Sequence, residues 1–160
     1  SPEQDAILMY SDKTQSLEKT MRTFESSWAL AHEQKKPEKI QELLTTGALP
    51  ALEILVESLD AASPELEPLK AIHVPLQDSY RRLLGQLRTM CSTSDKTAFM
   101  QEHERVTSAM HQLLQDHRKY GENIRAFYAV NNVYPPETTG NTPVTDVTDI
   151  VMPAKEADTP

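Results

Sequence analysis

The chain has one cysteine, four glycines and few aromatic residues, 6% of 160 positions, and each shortage narrows what it can be. A lone Cys91 forms no internal disulfide, so redox chemistry does not fix the compartment. Scarce aromatics argue against a strand-rich fold. No apolar run reaches the roughly 18 residues of a membrane-spanning helix. Basic clusters are also missing, and the net charge is −8, which disfavours nucleic acid and anionic membrane surfaces as partners. The familiar catalytic signatures are absent too. There is no Glu-x-x-His pair of the di-iron bundles, no His-Glu-x-x-His zinc motif, no phosphate-binding glycine loop, no Gly-x-Ser-x-Gly elbow and no Cys-x-x-Cys-His haem attachment.

What is present is an ordinary globular composition, 38% apolar and 25% charged, with enough length for one domain and a core. The chain opens on Ser1, which fits an exported protein of the periplasm or cell envelope after loss of its signal; a trimmed or cytoplasmic chain is the alternative.

Apolar residues recur at alternating steps of three and four, the pattern of helices packed on helices. The first series is Ile7, Tyr10, Thr14, Leu17, Met21, Phe24, Trp28 and Ala31, ending near Lys35 ahead of Pro37. The second is irregular: Ile40, Leu43 and Leu44 lead to a stop at Gly47, and a new piece opening near Pro50 carries Ile54, Leu55 and Leu59. Ser63, Pro64 and Glu65 then read as an N-cap and first turn. The third series is Leu66, Leu69, His73, Leu76, Tyr80, Leu83, Leu87 and Met90, closed by Ser92–Asp95, which caps the next helix. The fourth is Phe99, His103, Val106, Met110, Leu113, His117, Tyr120, Ile124 and Phe127, stopped by Asn131 and Asn132 and then Pro135 and Pro136. Short connections predict an all-α, antiparallel up-down-up-down four-helix bundle over residues 1–131 with an irregular second helix. From Asn132 to Pro160, five acids stand against Lys155 among Pro and Thr, which reads as a disordered acidic tail.

Three histidines interrupt the apolar seams: His73, His103 and His117. A buried imidazole needs hydrogen-bond partners or a metal. His103 and His117 are about 21 Å apart along one helix at 1.5 Å per residue, so they share nothing. Measured from the turn at Ser92–Asp95, His73 lies about 20 residues before it and His117 about 23 after it, which places them within roughly one turn of each other. Tyr10 and Thr14 fall at the same level, giving an expected polar layer of His73, His117, Tyr10 and Thr14. Pro75 removes the bond to the Ala71 carbonyl, and the expected kink frees carbonyls beside His73. His32 and His111 lie off the seams and are expected in solvent.

The patch His117-Arg118-Lys119-Tyr120, with His73 on the preceding helix and Leu84-Gly85-Gln86-Leu87 after it, resembles the soluble periplasmic b-type four-helix cytochromes over these few short stretches. The resemblance implies non-covalent haem held by a methionine on the first helix, with Met9 at a matching level, and by His117. Read from the residues alone, the first expectation is a non-enzymatic bundle that needs no cofactor and acts by binding a protein partner. A haem or transition-metal site at His73 and His117 is the alternative, and a pH-sensitive interface is a third. Trp28 and the aromatics of the fourth helix suit a homo-oligomer interface as well as a core.

Overall fold

The computed structural model describes residues 1–134, and every regular element among them is helical. Helix α1 spans Pro2–His32, α2 Pro37–Leu43, α3 Leu49–Ala61, α4 Glu67–Ser92 and α5 Lys96–Val130. A five-residue π turn, Leu44–Ala48, joins α2 to α3 without a break. The described residues therefore form a helical bundle of four units, the second of them composite. Most of the tail expected from Asn132 onward lies outside the described residues.

Local chemistry accounts for the helix ends. At the start of α1, Ser1 accepts from the Gln4 backbone and Gln4 reaches back, a capping box with Pro2 in the first turn. Asp95 accepts from the Ala98 N–H at 2.9 Å and starts α5. Helix α5 closes with a Schellman arrangement. The Val133 N–H bonds the Tyr128 carbonyl at 2.9 Å, the Asn132 N–H bonds that of Ala129 at 3.1 Å, and Asn132 takes a left-handed φ of 57°. Val133 is buried beside Tyr128, so the chain just past Asn132 is docked on the bundle rather than solvated.

Two expectations about the second and third series are corrected. Gly47 does not end a helix; it lies in the π turn, where the Leu49 N–H reaches the Leu44 carbonyl. The widened turn accommodates Pro50, which has no N–H for the Thr46 carbonyl. Thr45 and Thr46 hydroxyls meanwhile donate to the Gln41 and Glu42 carbonyls at 2.7 and 2.9 Å. Ser63 caps nothing: α4 begins at Glu67, after Leu66, with Pro68 in its first turn. Ile54, expected on the inner face, is exposed.

Pairings fix the helix directions. Tyr80 and Ser79 bond His117 and Asp116, while Leu69 shares a cluster with Tyr128, so α4 and α5 run oppositely. Gln4 bonds the Asn131 carbonyl and His32 meets His103, so α1 and α5 also run oppositely. Asp60 bonds Gln77 and Arg81, while Glu53 pairs with Arg88, which sets α3 against α4. At the far end of that pair, the Gln41 amide donates to the Cys91 carbonyl at 3.1 Å and to that of Thr93, tying α2 to the end of α4.

The main core runs from Leu17 to Trp28 on α1, through Leu52, Leu55 and Leu59, to Leu83, Leu87, Met110 and Leu113. Cys91 packs against it, half-buried, with its thiol pushed up by desolvation. A second cluster of Ile7, Tyr10, Leu69, Tyr128 and Val133 closes the end where α1 begins and α5 finishes. Between the two clusters lies a polar layer.

Candidate functional site

His73 is fully buried. Its Nε2 lies 2.9 Å from the Leu59 carbonyl and its Nδ1 lies 2.8 Å from the Tyr10 hydroxyl. A carbonyl can only accept, so Nε2 carries the hydrogen and Nδ1 accepts from Tyr10. The Tyr10 oxygen in turn accepts from the Tyr120 hydroxyl, 2.8 Å away. A directed chain thus runs from Tyr120 through Tyr10 and His73 to the α3 backbone. The rings of Tyr10 and His73 meet edge to face, with centroids 5.6 Å apart.

His117 is also buried, but it belongs to a second pair. Its Nε2 bonds the Tyr80 hydroxyl in a very short contact, again with an edge-to-face ring arrangement. The structure therefore brings His73 together with Tyr10 as expected, and gives His117 a different partner. Thr14 turns back to its own helix, donating to the Tyr10 and Ser11 carbonyls. Pro75 and Ala71 are both exposed, so the carbonyl that Pro75 leaves unpaired is not the one His73 uses. Its acceptor comes from the preceding helix α3, 14 residues earlier in the chain.

The electrostatics follow from burial. Desolvation holds His73 below its ordinary value, against the opposing pull of the Leu59 carbonyl and the Asp60 charge. Desolvation lowers His117 further, to about 3, with only the Asp116 charge opposing it. Burial pushes the Tyr80 phenol well up, and the Glu25 charge adds to this. Tyr10 and Tyr128 are raised for the same first reason, and Tyr120 is raised to about 12. Every imidazole and phenol of this layer is thus held neutral around pH 7.

The cytochrome-like expectation meets two obstacles in these contacts. Both ring nitrogens of His73 are engaged, and Nε2 of His117 is held by Tyr80. Met9 is 60% exposed and faces away from the layer. Holding haem or a metal there would require breaking at least one buried hydrogen bond. Among the described residues, no three His, Cys, Asp or Glu side chains gather as a metal cluster. A surface groove of about 680 Å³ between α4 and α5, lined by Arg82, Gln86, Glu104, Arg105 and Gln112 among others, contains none of the histidines.

His32 was expected in solvent and is instead buried. Its Nδ1 lies 2.9 Å from the Trp28 carbonyl and its Nε2 lies 2.9 Å from His103 Nε2. The signal was in the sequence: His32 is four residues after Trp28 and shares its face, because the buried stripe of a core helix is wider than a strict seam. His111 is exposed, as expected.

No family model matches this chain, and neither the curated proteins nor the solved structures contain a detectable relative. Among the described residues, no helix is long and apolar enough to cross a membrane.

Proposed function

We propose that the protein is a non-enzymatic helical bundle that works by binding another protein at the end where α1 begins and α5 finishes. One observation carries this reading. Large apolar side chains stand exposed there, Leu8 at 47%, Met9 at 60%, Val130 at 81% and Tyr134 at 76%, beside a tightly buried cluster. Of the seven large apolar side chains exposed among the described residues, these four lie towards this end, and concentrated exposed apolar surface favours an interaction site. The buried layer supports the same reading, since its histidines are engaged by phenols and a backbone carbonyl inside the core and line no part of the groove between α4 and α5. The cell envelope is the first place to seek the partner, with the cytoplasm as the alternative.

The test replaces two of these side chains, Met9→Asp with Val130→Asp, and compares cross-linked capture from an extract of the native cells. The expected result is a specific partner lost in the double variant, with helix content by circular dichroism unchanged. Identical captured proteins for both chains would refute the assigned surface. A second chain cut after Tyr134 asks whether the acidic segment contributes; the cut spares Val133, which is part of the core.

A further inference from the structure

A pair of facing histidines lies apart from the layer that joins α1, α3, α4 and α5. Nε2 of His32 and Nε2 of His103 face each other at 2.9 Å across α1 and α5. His32 Nδ1–H must donate to the Trp28 carbonyl, because that oxygen can only accept. The Nε2 of His32 is therefore a lone pair aimed at His103, which donates its own Nε2–H. We propose that His32 and His103 form a two-histidine chelate for a late first-row divalent cation such as Zn²⁺ or Ni²⁺, in which the ion sits beside the line between the two Nε2 atoms, the rings turn towards it, and the hydrogen bond they now share is displaced.

Four observations support this. First, two metal–nitrogen bonds of about 2.0–2.1 Å meeting at 90–110° place their nitrogens roughly 2.8–3.4 Å apart, and the present 2.9 Å falls inside that span. Second, the Nδ1–H of His32 already bonds a backbone carbonyl, the outer contact that fixes the tautomer and ring orientation of metal-binding histidines. Third, His32 is the last residue of the 31-residue helix α1, whose C-terminal carbonyls favour a cation. Fourth, Trp28 packs on both rings, its centroid 4.3 Å from that of His32 and 6.3 Å from that of His103. That packing restrains the pair before any metal arrives.

Binding balances simply. The His103 proton moves from Nε2 to Nδ1, both imidazoles stay neutral, and two nitrogen lone pairs are donated to the ion. Imidazole donors suit zinc, copper and nickel rather than calcium or magnesium. Among the described residues no third His, Cys, Asp or Glu joins the pair. Water or a small external ligand then completes the coordination of the ion.

The chain carries its own reporter, because Trp28 is its only tryptophan. Untagged protein at pH 7.5 is titrated with Ni²⁺, following Trp28 fluorescence, and with Zn²⁺ by calorimetry. The expected result is saturable quenching and one Zn²⁺ per chain. His103→Ala, at a half-buried position of α5, weakens binding by at least about tenfold, and His117→Gln leaves it unchanged. His103→Asp, which keeps a metal-binding side chain, restores part of the affinity, an effect that a purely structural hydrogen bond does not predict. Absence of saturable binding in the native chain overturns the proposal. So does equal affinity in His103→Ala with its helix content intact.

Discussion

The side chain of His73 and the backbone of Leu59 are joined by a 2.9 Å hydrogen bond, through which the middle of α4 closes the end of α3. Leu59 is one of the last four residues of its helix, whose carbonyls lack intrahelical partners. The natural candidate, the Ser63 N–H, bonds Asp60 instead. His73 is therefore a cap supplied from another helix, buried and held in one tautomer by Tyr10.

Removing either side of this relay should leave a buried polar atom unpaired. Tyr10→Phe strips the donor from His73 Nδ1 and the acceptor from Tyr120. It is expected to cost about 1–3 kcal/mol, read as a lower urea midpoint with unchanged slope. His73→Leu is similar in size but orphans the Leu59 carbonyl and the Tyr10 hydroxyl together, and should cost at least as much. A His73→Leu variant as stable as the native chain would show that the bond to Leu59 carries no net stability.

Acid should weaken the bundle before the carboxylates titrate. His73 and His117 are held below their unfolded value near 6.5, so the unfolded chain binds protons that the folded chain refuses. The stability they confer is complete above about pH 6.5 and is lost as pH falls from there towards about 3 for His117. The slope is roughly 1 kcal/mol per pH unit for each neutral buried histidine. Thermal melts between pH 7 and 5.5 should show a falling Tm, with a shallower fall in His117→Gln.

Alkali should act through the phenols. Tyr10, Tyr80 and Tyr128 are raised above an ordinary value near 10, so their contribution is present below that pH and is lost as pH rises past it. Phenolate absorbance from these core residues is expected to appear together with loss of helix by circular dichroism. Ionisation of all five tyrosines while the helix signal stays intact would contradict the burial described here.

Asn132 sits at φ 57°, where a β-branched side chain is strained. Asn132→Val should destabilise by about 1–2 kcal/mol, whereas Asn132→Gly should be neutral or slightly stabilising. Chemical denaturation of the two variants distinguishes them.

The Gln41 amide clasps the C-terminal carbonyls of α4 from α2. Gln41→Ala should cost about 1 kcal/mol and raise amide hydrogen exchange in the last turn of α4, leaving the end near Ile7 and Tyr128 unchanged.

The amino-acid sequence by itself determined the helices and most of the core. Leu17, Met21, Phe24, Trp28, Leu76, Leu83, Leu87, Met110 and Leu113 are buried where a period of three and four places them, because that period and the geometry of a helix are the same local fact. It also marked His73, His117 and Tyr10 as buried polar positions. The tertiary structure alone decided their partners. The Leu59 carbonyl carries no sequence signal, since every residue has one, and it was free only because Ser63 turned to Asp60. Tyr80 rather than His73 met His117 because pairing across two helices depends on their rotation and stagger, which no single helix encodes. His32 was drawn inward with Trp28 to meet His103, a contact between residues 71 positions apart. Local spacing sets which face of a helix is buried; only packing sets which polar atoms meet there.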